Sequence, residues 1–443
     1  MDIARAFRIH PGSRMAFIGS GGKSTAMFQL ARAYGDLVLV TTTTHLAEGQ
    51  LGEADQTLLI QGPEDLPQRR DELEGEVVLL VGPHREEGRV GGLPGQALDQ
   101  LLELVQDWGC PLLLESDGAR KLPLKAPAEH EPALPDFIDS VVVVSGLSGL
   151  GQPLNENWVH RPDRFSALAE MPAETRISTE ALVSVLVSDR GGLKDVPPGV
   201  RKMVLFNQID AFPNWRSLKA YLPRLLEAYH AVGFSSLQDY LLLEVWERIA
   251  GVILAAGGSS RFGRSKQLLE WKGQTFIRNA AELGIQSGLS PVVVVTGAER
   301  EAAESELQDL DVEITHNASW SQGQSTSIVE GLKALPPHIG GVVFLLVDQP
   351  QIPPDLVEGL VGIHSRQKPA ITSTRVKGRR ANPVLFDRAL FPELIQLQGD
   401  VGGRVLFDDH QVVYLPWEDD RIGLDVDTPQ ALQQLKDLYS PPE

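Results

Sequence analysis

Two glycine-rich stretches hold the side chains best suited to chemistry. In "GVILAAGGSSRFGRSKQLLEW", Gly251 to Trp271, an apolar run ends in Gly257, Gly258 and Gly263, with Arg261 and Lys266 set among them. Glycines let backbone N–H groups turn inward around an anion, and basic side chains inside the same loop add fixed positive charge. The chemistry this suits is binding of a triphosphate by Leu254, Ala255, Ala256, Gly257, Gly258 and Gly263, with Arg261 and Lys266 acting on the phosphates. A Gly/Ser turn with solvated charges is the plainer reading of the loop by itself. Further residues support the phosphate reading. "VVFLLVDQPQIP" ends an apolar strand in Asp348, where an open α/β sheet presents ligands, and "GLDVDTPQAL" adds Asp425 and Asp427. Such acids hold Mg²⁺, which takes oxygen ligands and bridges phosphates; one of the later pair is equally suited to capping the helix that follows. In "NASWSQGQSTSIVEGL", Gly323, Ser325 and Ser327 make a small polar turn opening a helix, suited to a base or ribose as well as to a plain cap.

The earlier stretch is "MAFIGSGGKSTAMFQLA", Met15 to Ala31. Gly19, Gly21, Gly22, Lys23, Ser24 and Thr25 form a shortened phosphate loop: a full Walker A pattern requires glycine where Phe17 stands, and the shorter G-x-x-G-K-S form is similar to that of Mur ligases. Amides and a helix N-terminus would hold the phosphates of ATP or GTP, Lys23 would reach the outer ones, and Ser24 would ligate Mg²⁺. "VTTTTHL" offers Thr41 to Thr44 and His45 to the same phosphates, or simply a β-branched strand end. "LLLESDGARKLPLKAP" ends a strand in Glu115 and Asp117, candidates for metal binding or water activation, and then supplies Arg120, Lys121 and Lys125. "VLFNQID" places Asn207 and Asp210 as in a base-reading N-K-x-D segment, with Gln208 in place of the lysine.

The elements that must position these residues are short, continuous apolar runs alternating with helical patterns. "RMAFIG", "DLVLVTTTT", "TLLIQG", "EVVLLVG", "PLLLESDG", "SVVVVSG" and "KMVLFNQID" read as strands buried on both faces, hence a mainly parallel sheet covered by helices. The series restarts with "AGVILAAGG", "PVVVVTGA", "VEITHN", "GVVFLLVDQ", "PAITSTRV" and "NPVLFDRAL". Two α/β domains are expected, residues 1–248 and 249–443, joined through "SLQDYLLLEVWERIAG", whose apolar spacing predicts a helix.

Composition narrows the partners. With 40 basic and 59 acidic residues the formal charge is −19, and no Lys/Arg block occurs, which argues against nucleic acid and anionic membranes. The start lacks a signal-peptide core, no run approaches the roughly 18 apolar residues of a spanning helix, and the single cysteine, Cys110, fits a reducing cytoplasm.

The motifs "LAAGGSSRFGRSKQLL", "WSQGQSTSIVEGL", "VDQPQI", "RRANPVLF", "GDVGGR" and "DVDTP" make residues 250–443 resemble the MobA-like nucleotidyltransferases, and among them the molybdenum cofactor cytidylyltransferases. The resemblance implies a Rossmann-like domain that moves CMP from CTP to molybdopterin cofactor and releases pyrophosphate. It further implies that Asn382, Asp400 and Arg404, with Arg379 and Arg380, face the acceptor. The guanylyltransferase branch carries L-A-G-G, so Ala256 points to cytosine. "GSGGKST", "TTTTHL", "ESDGARKLPLKAPAEHEP", "HRPDRF" and "NQID" make most of residues 10–240 resemble the YqeC family, accessory proteins of selenium-dependent molybdenum hydroxylases. A client hydroxylase is therefore the implied protein partner. Another acceptor such as a sugar phosphate, or a carrier that binds nucleotide and cofactor without reaction, stays open.

Overall fold

The structure, a computed structural model, describes residues 1–85, 88–258 and 265–439. The chain divides into two compact units, Met1–Trp246 and Glu247–Glu443.

The first unit is built on a nine-stranded sheet. From one edge its strands are Leu241–Glu247, Ala231–Ser236, Arg201–Asn207, Ser140–Gly146, Arg14–Gly19, Leu112–Glu115, Val38–Thr42, Val77–Val81 and Gln56–Leu59. All seven pairings from Ala231–Ser236 to Gln56–Leu59 are parallel. Central strands buried on both faces need apolar residues at every position, and Val38–Thr42 and Val77–Val81 are buried throughout. Successive residues of Arg14–Gly19 feed opposite cores. Ala16 and Ile18 pack with Ala97, Leu101 and Val105 of the helix Gly95–Trp108. Met15 and Phe17 pack with Ala26, Met27 and Leu30 of the helix Lys23–Tyr34. Each of the larger of these side chains, fully buried, stabilises by about 1.5–3 kcal/mol. Cys110 is buried in the first of these cores, and burial pushes its thiol up to about 11, which makes it an inert packing residue.

Arg14–Gly19 lies at the switch of the winding: the chain proceeds from it to Val38–Thr42 on one side and later to Ser140–Gly146 on the other. The carboxyl end of this strand therefore opens into the crevice where such sheets bind ligands. One expectation fails here. The stretch expected to be a helical junction is the edge strand Leu241–Glu247, in which Leu242 and Glu244 are buried while Leu241 and Leu243 are exposed.

The second unit carries a seven-stranded sheet in the order Glu313–His316, Val292–Thr296, Ile249–Ala255, Gly341–Leu346, Arg379–Asp387, Ile371–Val376, Val412–Trp417. Ile249–Ala255 is parallel to both neighbours; Arg379–Asp387 runs antiparallel to both of its own. The helices Phe276–Gln286 and Pro354–Gln367 pack on one face, and Gln324–Lys333 on the other. Ile249–Ala255 and Gly341–Leu346 end side by side, which brings the loop after the first and Asp348 after the second to one rim. Among the described residues, no helix is long and apolar enough to cross a membrane.

Candidate active sites

In the second unit a cavity of about 630 Å³ opens at that rim. Leu254, Ala256, Gly257, Gly258, Lys266, Gly323, Ser327, Asp348, Asp400 and Asp427, all expected from the sequence, line it. Lys266 Nζ reaches Asp348 Oδ2 at 2.7 Å and Asp427 Oδ1 at 2.6 Å, so one cation joins two acids that are 79 residues apart in the chain. Asp348 Oδ1 is buried with no hydrogen-bond partner among the described residues. Asp425 is turned away onto Gln349, whose Nε2 donates to Asp425 Oδ1 at 2.6 Å. Burial raises the Asp425 carboxyl above its usual range, Gln349 opposes this, and the charges of Asp348 and Asp427 add to it. Among the described residues no three His, Cys, Asp or Glu side chains are grouped to hold a metal unaided. A Mg²⁺ bound through one or two carboxylates and the substrate's own phosphates needs no such group, and the partnerless Asp348 oxygen beside Asp427 fits it.

The remaining expected residues divide. Ala255 lies buried in its strand and contributes its carbonyl, while Ser325 donates to Gly399 O at 2.7 Å and so fastens the helix start rather than facing the cavity. Asp400 Oδ1 accepts from Gln324 N, which sets the loop Gly399–Asp400 against the same helix N-terminus. Asn382 and Arg404 do not line the cavity; Arg404 is exposed, and Arg380 stacks over Phe407. Arg261 and Gly263 lie outside the described residues.

Three glutamines do work that the sequence did not announce. Gln267 is buried and its Nε2 donates to Ala255 O and Gly257 O at 2.8 and 2.6 Å, closing the base of the glycine-rich loop. Gln351 Nε2 donates to Leu424 O at 2.7 Å and approaches Arg421 O and Ile422 O at 3.3 Å. With Gln349 it fixes the segment that carries Asp425 and Asp427, and Val426 N completes the attachment by donating to Asp348 O. An amide gives no periodic signal; for Gln349 and Gln351 the position after Asp348 in "DQPQ" is the one hint, and Gln267 has none.

In the first unit the loop after Arg14–Gly19 takes positive φ at Gly19, Gly21 and Gly22. Space forbids a side chain there as well: a Cβ on Gly19 would lie 2.2 Å from Val144 O, and one on Gly22 2.4 Å from Asn207 Nδ2. Lys23 begins the helix, but its Nζ folds back to Gly19 O at 2.9 Å and Asp117 Oδ1 at 3.1 Å, with Glu115 Oε1 at 3.8 Å. Ser24 Oγ donates to Glu115 Oε2 at 2.5 Å and accepts from Gln50. Asp117 Oδ2 accepts from Gly19 N at 2.9 Å and from Lys125 at 2.7 Å; Lys125 also meets Glu131, which Arg161 grips through both oxygens.

Burial would lower Lys23, yet Asp117 and Glu115 hold its ammonium above the ordinary lysine range. Burial raises Glu115, with Lys23 and Ser24 opposing. Glu131, which burial alone would raise, is held at about 2 by Arg161 and Lys125. Burial lowers His45 and, with Arg161 and Lys125 adding, takes His160 to about 4, so both imidazoles are neutral at pH 7.

The base-reading candidates are engaged differently from the expectation. Asn207 Nδ2 donates to Gly21 O at 2.7 Å and its Oδ1 accepts from Leu237 N at 2.9 Å, so this side chain latches the loop. Asp210 is exposed and accepts from Ser236. Thr25 is exposed on the first helical turn. The hydroxyls of Thr41, Thr42 and Thr43 donate to backbone carbonyls, so these threonines build the strand end instead of facing phosphate.

Comparison with known proteins divides the chain in the same way. Residues 15–163 match the family model "YqeC protein", and residues 251–413 match "MobA-like NTP transferase domain". The uncharacterized protein YqeC of Escherichia coli is 30% identical over 205 residues, 45% of this chain and 77% of the relative. The nicotine blue oxidoreductase of Paenarthrobacter nicotinovorans is 32% identical over 200 residues, 42% of this chain and 96% of the relative. The molybdenum cofactor cytidylyltransferase of Escherichia coli is 28% identical over 194 residues, 43% of this chain and 96% of the relative.

Proposed function

We propose, since the chain belongs to the YqeC family through its first unit and to the MobA-like NTP transferase family through its second, that it is a two-part enzyme of molybdenum cofactor processing. The second unit transfers a cytidylyl group from CTP to the phosphate of molybdopterin cofactor and releases pyrophosphate; the first binds a nucleoside triphosphate, ATP or GTP, at its own loop. Both serve maturation of a client molybdenum hydroxylase in the cytoplasm. The observation that carries the reading is Lys266 set between Asp348 and Asp427 at the mouth of the cavity.

The acceptor phosphate is already anionic at neutral pH, so the protein needs to supply position and charge compensation more than a base. Lys266 faces the charge that develops on the departing pyrophosphate, with Arg261 of the same loop as its companion by resemblance. Gly257 and Gly258 bring backbone to the phosphates, and Gln267 holds that backbone in place. Asp348, with Asp427 beside it, would hold Mg²⁺, which supplies charge neutralisation at the transferred phosphate. Asn382, Asp400 and Arg404 belong to the acceptor side in this reading.

The test is pyrophosphate release from the full chain with Mg²⁺, molybdopterin cofactor and either CTP or GTP. CTP is expected to lead, and Ala256→Gly to narrow the preference. Release with GTP alone overturns the cytidylyl assignment; no release with any nucleotide, or release that survives chelation of the metal, overturns the mechanism. A redox reaction of the kind named for the Paenarthrobacter relative would yield no pyrophosphate.

A further inference from the structure

The acids and bases buried around the first unit's loop balance one another. Lys23, Lys125 and Arg161 face Glu115, Asp117 and Glu131, three cations against three carboxylates, and His160 beside them is neutral. A phosphate chain arriving at this loop therefore finds amides but little uncommitted positive charge in the interior. The missing charge stands three and four residues beyond Asp117. Leu122 N donates to Ala119 O at 3.0 Å, closing a turn whose central residues are Arg120 and Lys121, at φ 50° and 60°. A turn with positive φ at both central positions favours Asn-Gly or Gly-Gly, because a side chain there crowds the backbone. Here it carries two long cationic side chains, both exposed and neither with a carboxylate partner among the described residues. The turn is tied to the loop through its neighbours: Asp117 accepts from Gly19 N, and Lys125 donates to Gly118 O at 2.6 Å. Arg120 also adds to the positive charge acting on His160.

We infer that the Arg120–Lys121 turn is the outer half of the first unit's binding site and clamps the distal phosphates of an oligophosphate, so that the site takes di- or triphosphates and discriminates against a single phosphate. The inference rests on the proposed nucleotide role of the loop and adds the residues that set the ligand class. A purely structural turn is served better by glycine at these two positions, and this separates a binding role from a structural one. Glycine at either position suits the turn better, so Arg120→Gly and Lys121→Gly should each raise the first unit's unfolding midpoint by about 2–4 °C. Each should also weaken binding of inorganic tripolyphosphate about tenfold, the scale of one lost charge-assisted contact, and flatten its dependence on salt.

The experiment is calorimetric titration of the full chain and both glycine variants with tripolyphosphate and with orthophosphate, Mg²⁺ present, beside thermal unfolding of each. The second unit's contribution is common to all three proteins, and Ser24→Ala marks binding at the first loop. More stable variants that bind tripolyphosphate more weakly carry the inference. Tripolyphosphate binding that falls in Ser24→Ala but stays at the wild-type level in the glycine variants overturns the clamp and leaves the loop reading standing. Binding that none of the three substitutions alters overturns both. Equal affinity for orthophosphate and tripolyphosphate in the wild type overturns the stated ligand class.

Discussion

Lys23 and Lys266 follow the same kind of glycine-rich loop, after the same kind of buried strand, and each is held by two acids; their surroundings differ. Lys23 and Asp117 are 5% and 3% exposed and belong to a closed set of ion pairs. Lys266 is 14% exposed and Asp427 52%, at the edge of an open cavity. A charge fully committed to buried partners serves mainly to keep a loop in shape, whereas one held at the edge of a cavity remains available to a substrate. The motif alone cannot tell these apart, because the difference lies in residues about 90 and 160 positions away.

The largest effect expected from this contrast is on stability. Lys125→Ala leaves Asp117 and Glu131 buried without their shared cation and should destabilise the first unit by about 3–5 kcal/mol, read by urea unfolding, while pyrophosphate release by the second unit persists. A loss under 1 kcal/mol would mean that the network is not closed. Next comes Asp348→Asn, which should lower kcat about 10²–10³-fold with little change in unfolding, because this side chain acts on charge at an open rim. Near-normal turnover with Mg²⁺ would remove Asp348 from the site. Gln351→Ala frees the segment carrying Asp427 and should cost about 1–3 kcal/mol, seen as a raised KM for CTP before any loss of fold. An unchanged KM would show that the segment is held by Val426 and Gln349 alone.

The smallest effect near neutrality is a pH slope shared by both units. Burial holds His160 of the first unit at about 4, and burial with the charge of Lys368 holds His364 of the second at about 4. Unfolded histidine takes its proton near pH 6.5, so between 6.5 and 4 the unfolded chain binds more protons and stability falls as pH falls. His160→Gln should flatten the slope in the first unit only, and His364→Gln in the second only; a slope unaltered by either substitution would assign the protons elsewhere.

Much of the frame was legible because continuous apolar runs bounded by Gly, Asp or Asn are hard to place anywhere but in a covered parallel sheet. "RMAFIG" and "SVVVVSG" are strands over their whole length, Arg14–Gly19 and Ser140–Gly146. Leu241–Glu247 was misread because Leu237, Leu241 and Val245 fall four apart and imitate a helical face. The structure instead alternates across the sheet and buries Glu244, which satisfies Lys219 and the Trp246 indole. The strands Ala231–Ser236 and Val412–Trp417 went unassigned, the first diluted by glycine and serine and the second half-exposed along its length. In the sites, glycines, lysines and strand-end acids announced themselves by type. What could not be read was commitment: that Asn207 is spent on Gly21, that Asp425 is turned onto Gln349, and that Lys23 lies folded against two acids.

The latch between Asn207 and Gly21 spans 186 residues, and it bears on how the protein is made. The glycine-rich loop precedes in the chain every residue that fastens it: its strand gains neighbours only with Leu112–Glu115 and Ser140–Gly146, and its latch only with Asn207. Contacts this distant are slow to form, since a long loop must close before they stabilise anything. During synthesis the glycine-rich segment thus stays unfastened while most of the first unit is translated, and the nascent chain acquires a latched loop only when the strand Arg201–Asn207 joins the sheet.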